Sequence, residues 1–404
     1  MKLKCQPSDF QVEEQIGLAT GRGPFGLYRL TKHSLGTLEA LDAIGRKWNL
    51  PQQRVALAGL KDKHASTSQF VTIHNGPRRG LAQTHFQLDY VNQVERPIHA
   101  SDITGNRFQI VVRDLSEAET QVIAKSLTAL AQDGLPNYFD SQRFGSLGES
   151  GEFIAKPWCL GDFERALWLA AADANVHDRP DQRAEKQILR EQWGRWADCV
   201  TRFTRLTQRP SLLCDVAAQL ARQPGDFRRA LTIFPHSLRS LWLAAFQSHL
   251  WNQILARLIR TEVSPEACSD FSVGPAGLPF FTQLSDAGRA SLRSAVLPLP
   301  SARLHLDGHR WQPLYAAALA QEGLELRQIR VKYPRDTFFS KGDRPTLFQP
   351  RELRHTLAAD ELHSGKQQLT LNFTLPRGSY ATIVIKRLCG DAPGMADASD
   401  DGLE

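Results

Sequence analysis

Gly105-Asn106-Arg107-Phe108-Gln109-Ile110-Val111-Val112-Arg113 is followed closely by Ser116 and, three residues on, Glu119. Phe108, Ile110 and Val112 alternate with Gln109, Val111 and Arg113, the period-two pattern of a half-buried strand that starts after a Gly105-Asn106 turn. Ser116 with Glu119 is a capping-box signature, and Gly134 supplies a stop for the helix it starts. A strand that feeds a capped helix predicts mixed α and β structure.

Working back towards the N-terminus, Phe10, Val12 and Glu14 alternate in strand fashion after the turn-like Pro7-Ser8-Asp9. Thr37 precedes a helical stretch, Leu38 to Trp48, which Pro51 closes. Val55 to Ala58 and Gln69 to Ile73 read as short strands, so Gly59 to Ser68 is the loop between them, at a strand end where sites are commonly built. Towards the C-terminus the texture changes near Phe153 to long helical patterns. Leu238, Leu241, Trp242, Ala245, Phe246, Leu250 and Ile254 recur at spacings of three and four, an amphipathic helix of about five turns. Strands return near Arg330, and Leu369, Leu371, Phe373 and Leu375 alternate before the Pro376-Arg377-Gly378 turn. The predicted fold class is α+β, with a mostly helical block interrupting one domain.

The chain has 404 residues, 42% hydrophobic and 23% charged, enough apolar material for more than one core and too little charge for wholesale disorder. The start, Met1-Lys2-Leu3-Lys4-Cys5-Gln6, lacks the apolar centre of a signal peptide, and no uncharged apolar run reaches the ~18 residues of a membrane span, so the expectation is a cytoplasmic protein without membrane association. Six scattered cysteines without a CxxC pair indicate neither a disulfide framework nor a thiolate metal site. Net charge is +6 and unevenly placed: through Arg113 there are 15 Lys and Arg against 9 Asp and Glu, whereas Gly390 to Glu404 holds five acids and no base. The basic N-terminal part would attract a polyanion such as RNA. The last residues, 391–404, are expected to form a disordered acidic tail.

Gly59-Leu60-Lys61-Asp62-Lys63-His64-Ala65 is the segment richest in chemistry. A carboxylate between two cations on a glycine-led loop stays ionised, which suits a nucleophile or a base aimed at an electrophilic sugar carbon, and Lys61 and Lys63 could meet phosphates. The same residues would serve equally as a solvated charged turn. His305 and His309 have no third ligand nearby, and Gly21 to Gly26 lacks the Gly-Lys-Ser/Thr of a phosphate loop. No metal and no cofactor are expected.

The loop is accompanied by four other blocks: Lys4 with Pro7-Ser8-Asp9-Phe10-Gln11-Val12-Glu13, Gly105-Asn106-Arg107-Phe108, Pro136-Asn137-Tyr138-Phe139-Asp140-Ser141-Gln142-Arg143-Phe144-Gly145, and Pro376-Arg377-Gly378-Ser379-Tyr380-Ala381-Thr382. Together and in this order they resemble the TruD family of tRNA pseudouridine synthases. The resemblance implies a catalytic domain with a mixed or antiparallel sheet, made from 1–145 and 333–390, interrupted by a mostly helical α+β TRUD insertion domain at 146–332. A cleft between the two would hold the RNA. It implies Asp62 as the catalytic residue, with Phe10, Asn106 and Tyr380 contacting the target nucleotide and Phe108 stacking beside its base. Lys4 would supply a cation for the catalytic Asp. By residue chemistry alone, Phe108 could be core, Asn106 a turn residue, Tyr380 a helix anchor and Lys4 an exposed terminal lysine. The implied activity is isomerisation of uridine 13 of tRNA by a monomer. Another tRNA or mRNA position, or a non-catalytic RNA-binding protein or RNA chaperone, are the alternatives.

Overall fold

Burial alternates along the second strand, Phe10–Ile16: Phe10, Val12 and Glu14 face inward while Gln11, Glu13 and Gln15 are half-exposed. This strand sits near the middle of a ten-stranded sheet in the computed structural model, which describes residues 1–61, 65–206 and 211–390. The strands, in chain order, are β1 (Lys2–Leu3), β2 (Phe10–Ile16), β3 (Phe25–His33), β4 (Val55–Leu57), β5 (Ser66–His74), β6 (Leu81–Ala82), β7 (Phe86–Val94) and β8 (Ile103–Leu115). A C-terminal hairpin adds an outer strand, Arg351–Ala359, and an inner one, Gln367–Pro376. From one edge the order is outer strand, inner strand, β8, β2, β5, β3, β7, β6, with β1 pairing β8 and β4 pairing β5. β2 and β5 are parallel, the other pairs antiparallel, so the sheet is mixed.

β8 starts at Ile103, five residues before the Phe108 alternation, and Gly105-Asn106 lies within the strand instead of in a turn. The reason is packing across the sheet. A Cβ built on Gly105 would stand 2.6 Å from the Leu375 carbonyl oxygen, so glycine is what lets the inner hairpin strand come this close.

Helix α1 (Thr37–Trp48) covers one end of the sheet. Its Ala40, Leu41 and Ile44 pack with Tyr28, Leu30, Val71, Ile73, Phe86 and Leu88. Its N-cap is Gly36, whose N–H is satisfied by Glu39, so Thr37 begins the helix and its hydroxyl is available for other work. Helix α2 (Glu117–Asp133) starts at the expected capping box, with Glu119 N–H donating to Ser116 Oγ and Ser116 N–H to Glu119 Oε2, and stops at Gly134 with φ +76°. The C-terminal helix, Ala381–Cys389, packs against α2 after a turn in which Gly378 takes φ +82°.

The chain divides into two compact units, one of Met1–Asn137 with the residues from Leu347 onward, the other Tyr138–Thr346. The second unit is built on the helix His236–Glu262, which extends beyond the stretch read from sequence because Leu255, Leu258 and Ile259 continue its buried pattern. Asn252 from this helix accepts from Phe139 N–H at 2.9 Å and donates to Phe139 O at 2.8 Å, pinning Phe139 within the unit. The unit also contains a hairpin of Cys268–Val273 with Ala276–Phe281 and a short pair of Val296–Pro298 with Asp343–Pro345, so it is mostly helical but not all-helical. Among the described residues no helix is long and apolar enough to cross a membrane.

Candidate active site

Two rows of side chains cross the inner face of the sheet. One joins Phe373, Phe108, Val12, Thr67 and Lys32 across five strands, each the register partner of the next. The neighbouring row joins Leu375, Asn106 and Glu14. Cross-strand partners share a face, so these residues form one floor. Phe108 is buried on it, stacked on Phe373 with ring centroids 5.5 Å apart and meeting Phe10 edge-on at 6.3 Å. The Lys4 ammonium lies 5.0 Å from the centroid of the Phe10 ring.

Four polar residues interrupt this otherwise apolar floor: Glu14, Lys32, Thr67 and Asn106. Glu14 and Lys32 occupy inward positions in the patterns Phe10-Val12-Glu14 and Tyr28-Leu30-Lys32, where a charge is expensive unless paired. Glu14 Oε2 accepts from Lys61 Nζ at 2.7 Å, with the carboxylate fully buried and the lysine side chain 12% exposed. Glu14 Oε1 accepts from the buried Phe70 N–H. Lys32 Nζ donates to the Lys61 carbonyl at 3.2 Å.

Thr37 completes the arrangement. Its hydroxyl donates to Gln69 Oε1 at 3.0 Å and accepts from Lys61 N–H at 3.2 Å, while Gln69 Nε2 donates to the Gly59 carbonyl at 3.0 Å. Residues from β2, β3, α1 and β5 therefore clamp Gly59 to Lys61, including the carbonyl of the peptide bond that leads into Asp62. Asp62 and Lys63, singled out from sequence, lie outside the described residues.

The amide oxygen of Asn106 is buried and has no hydrogen-bond partner among the described residues, and the same holds for Thr67 Oγ1 on the adjoining row. An unpaired buried acceptor carries its full desolvation penalty, so a donor from a ligand would be a net gain at this spot. Tyr380, half-exposed, is the N-cap residue of the C-terminal helix, and the neighbouring Ser379 hydroxyl donates to Asn137 Oδ1. Of the residues nominated from sequence, Phe10, Lys4, Asn106, Phe108 and Lys61 gather on or beside this floor. Glu14, Lys32, Thr37 and Gln69 were not nominated, although a charge at an inward strand position was a readable signal for the first two.

An α+β chain whose two ends build one mixed sheet, with a mostly helical unit inserted between them, has the pseudouridine-synthase fold with an insertion domain. A TruD crystal structure from Methanosarcina mazei superposes with a TM-score of 0.73 at 22% identity, covering 98% of this chain and 94% of that one. The family model described as tRNA pseudouridine synthase D (TruD) matches residues 1–388, and the chain belongs to the TruD family. Its relatives include a TruD homologue from Methanocaldococcus jannaschii, 30% identical over 393 residues that span 96% of this chain and 91% of the relative. The tRNA pseudouridine synthase D of Aquifex aeolicus is 26% identical over 403 residues, 97% of this chain and 99% of its own.

Proposed function

We propose that this protein isomerises uridine to pseudouridine in tRNA, at position 13, with Asp62 as the catalytic carboxylate. The reaction breaks the N1–C1′ bond, turns the uracil and joins C5 to C1′. The C5 proton leaves and N1 gains one, so nothing is oxidised or hydrolysed and neither cofactor nor metal is required. A nucleotide held inside a structured RNA must first be drawn out of its stack. The detached base must then be kept in place until it rejoins.

The observation that carries the reading is the clamp on Gly59 to Lys61. Four elements fix the peptide that precedes Asp62, beside a floor with an aromatic ring, Phe108, and an amide acceptor, Asn106, that is unpaired among the described residues. Uracil offers a donor at N3 that matches such an acceptor, whereas the N3 of cytosine is itself an acceptor and would leave both unpaired. Phe10 and Phe108 are assigned to the base, Tyr380 to the nucleotide, and Lys63 to phosphate. Lys4, close to the Phe10 ring, is assigned as the counter-charge of the catalytic Asp, and Lys61, held by Glu14, as the anchor of the loop. Family membership supports tRNA as the substrate class, and a monomer acting in the cytoplasm is part of the proposal.

Asp62→Asn is expected to bind tRNA with nearly the parent's Kd and to form no pseudouridine; product from that variant would reject the assignment. Pseudouridine mapping across total RNA, with and without the gene, tests position 13: loss of that modification alone is expected, and loss elsewhere would reassign the target.

A further inference from the structure

Residues 329–342 of the second unit form neither helix nor strand, yet the unit holds them firmly. Trp158 Nε1 donates to the Tyr333 carbonyl at 3.1 Å, and Gln247 Nε2 donates to the Ser340 carbonyl at 2.8 Å. Arg239, itself buried, forks onto Asp336 with contacts of 2.8 and 3.0 Å, and His236 Nε2 meets the Asp336 carbonyl at 3.0 Å. The Arg228 guanidinium lies 4.0 Å over the Tyr333 ring. Of the consecutive aromatics, Phe339 is buried and Phe338 is 68% exposed, so the same anchored turn sends one ring into the core and the other into solvent.

Along residues 329–342 four cations and one acid are exposed, and the exposed Asp343 follows. Arg330, Lys332, Arg335 and Lys341 are exposed, and none of them is paired with a carboxylate among the described residues. Asp336, the acid among them, is committed to Arg239. Three residues of chain span at most about 11 Å, so Arg335 and Lys341 flank Phe338 within the reach of adjacent nucleotides. A single exposed phenylalanine is ordinary on a protein surface. A ring held out by a pinned loop between unpaired cations has the composition of a site that stacks one base and grips the phosphates on either side.

We propose that this loop is an RNA-docking surface of the second unit, on which Phe338 stacks against an unpaired base while Arg335 and Lys341, supported by Arg330 and Lys332, contact the flanking phosphates. The inference takes its ligand class from the RNA-modifying reading above. It assigns the second unit a binding role of its own.

The test measures Kd of the full chain for a tRNA transcript and for a uridine-rich single-stranded oligonucleotide, by fluorescence anisotropy across a salt series. Phe338→Leu keeps the apolar bulk and removes the π face. It is expected to weaken binding of both probes about fivefold or more, the lower end of a lost base stack. Arg335→Gln with Lys341→Gln is expected to shallow the slope of log Kd against log salt by about 1.4, two single-strand phosphates. Both positions are exposed, and an unfolding midpoint matching the parent's shows that the loss is in binding. An unchanged Kd in Phe338→Leu overturns the proposal however the charge variant behaves, and is the result a protein-binding role for Phe338 would give. Pseudouridine formation by the parent is followed in parallel. Product from a parent whose Phe338→Leu variant binds equally well removes the docking surface alone. Weakened binding in the variant with no product from the parent removes the isomerase reading alone.

Discussion

Asn106 holds an acceptor between Leu375 and Glu14 on the inner face of the sheet, and that oxygen is buried and without a hydrogen-bond partner among the described residues. Such a group costs the native state about 1–3 kcal/mol, a cost that a hydrogen bond donated by a bound nucleotide would offset. Asn106→Leu, nearly the same size, is therefore expected to raise unfolding free energy by about 1 kcal/mol while lowering the rate of pseudouridine formation tenfold or more. Urea denaturation and a tritium-release assay measure the two quantities. A fall in both would make Asn106 a structural residue and remove it from the site. At this scale the sequence was legible only in part. Asn106 and Phe108 stood out because they recur in a family pattern, and Glu14 and Lys32 were visible as charges on inward strand positions. That Lys61 is their partner was not visible, because the pairing exists only once β2 lies parallel to β5 and Gly59 to Lys61 are held against them.

In the proposed reaction the chemistry depends on the loop from β4 to β5, and the Glu14–Lys61 pair is a buried attachment of its described part. Removing one partner of a buried ion pair costs about 3–5 kcal/mol, because the other is left charged and desolvated. Replacing both with apolar groups of similar size is often neutral. Glu14→Met and Lys61→Met are each expected to destabilise the protein by about that amount, and the double variant to recover most of it. Activity is expected to stay low in all three, since apolar contact does not fix the direction of the peptide entering Asp62. Recovery of the rate along with the stability in the double variant would show that the pair serves folding alone. Element types were readable because period-two and period-3.6 patterns survive in the sequence. The Ser116 capping box and the Gly378 turn were likewise chemistry that a local stretch displays. Gly105-Asn106 looked like a turn for the opposite reason: glycine there answers to the Leu375 backbone, 270 residues away, and no local pattern records that neighbour.

Across the whole molecule, Arg113 joins parts of the chain that sequence distance keeps far apart. It lies on β8 and is 2% exposed. Its Nε donates to both oxygens of Asp9, at 3.0 Å each, and its Nη1 to Asp360 Oδ1 at 3.0 Å and Gln368 Oε1 at 2.6 Å. The N-terminal turn, the central strand and the C-terminal hairpin are thus tied through one guanidinium, which closes a sheet that the second unit interrupts. Burial by itself would push the Asp360 carboxyl up. The Asp114 and Leu362 N–H groups, His363 and Arg113 outweigh it and hold the carboxyl well below the ordinary range. A depressed carboxylate contributes stability that is present above its unfolded value near 4 and is lost as pH falls towards its folded one. Arg113→Met leaves two buried carboxylates without their cation and is expected to cost about 3–5 kcal/mol at pH 7. It also removes one cause of the depression, so the acid-range slope of stability against pH should be flatter in the variant than in the parent. Urea unfolding at a series of pH values from 7 down to about 1.5 is expected to give curves that start apart and converge at the acid end, where the carboxyl of the folded variant protonates first. Parallel curves would mean that the charge on Arg113 does not reach Asp360, and that the hairpin is held to β8 by its backbone ladder and apolar face alone.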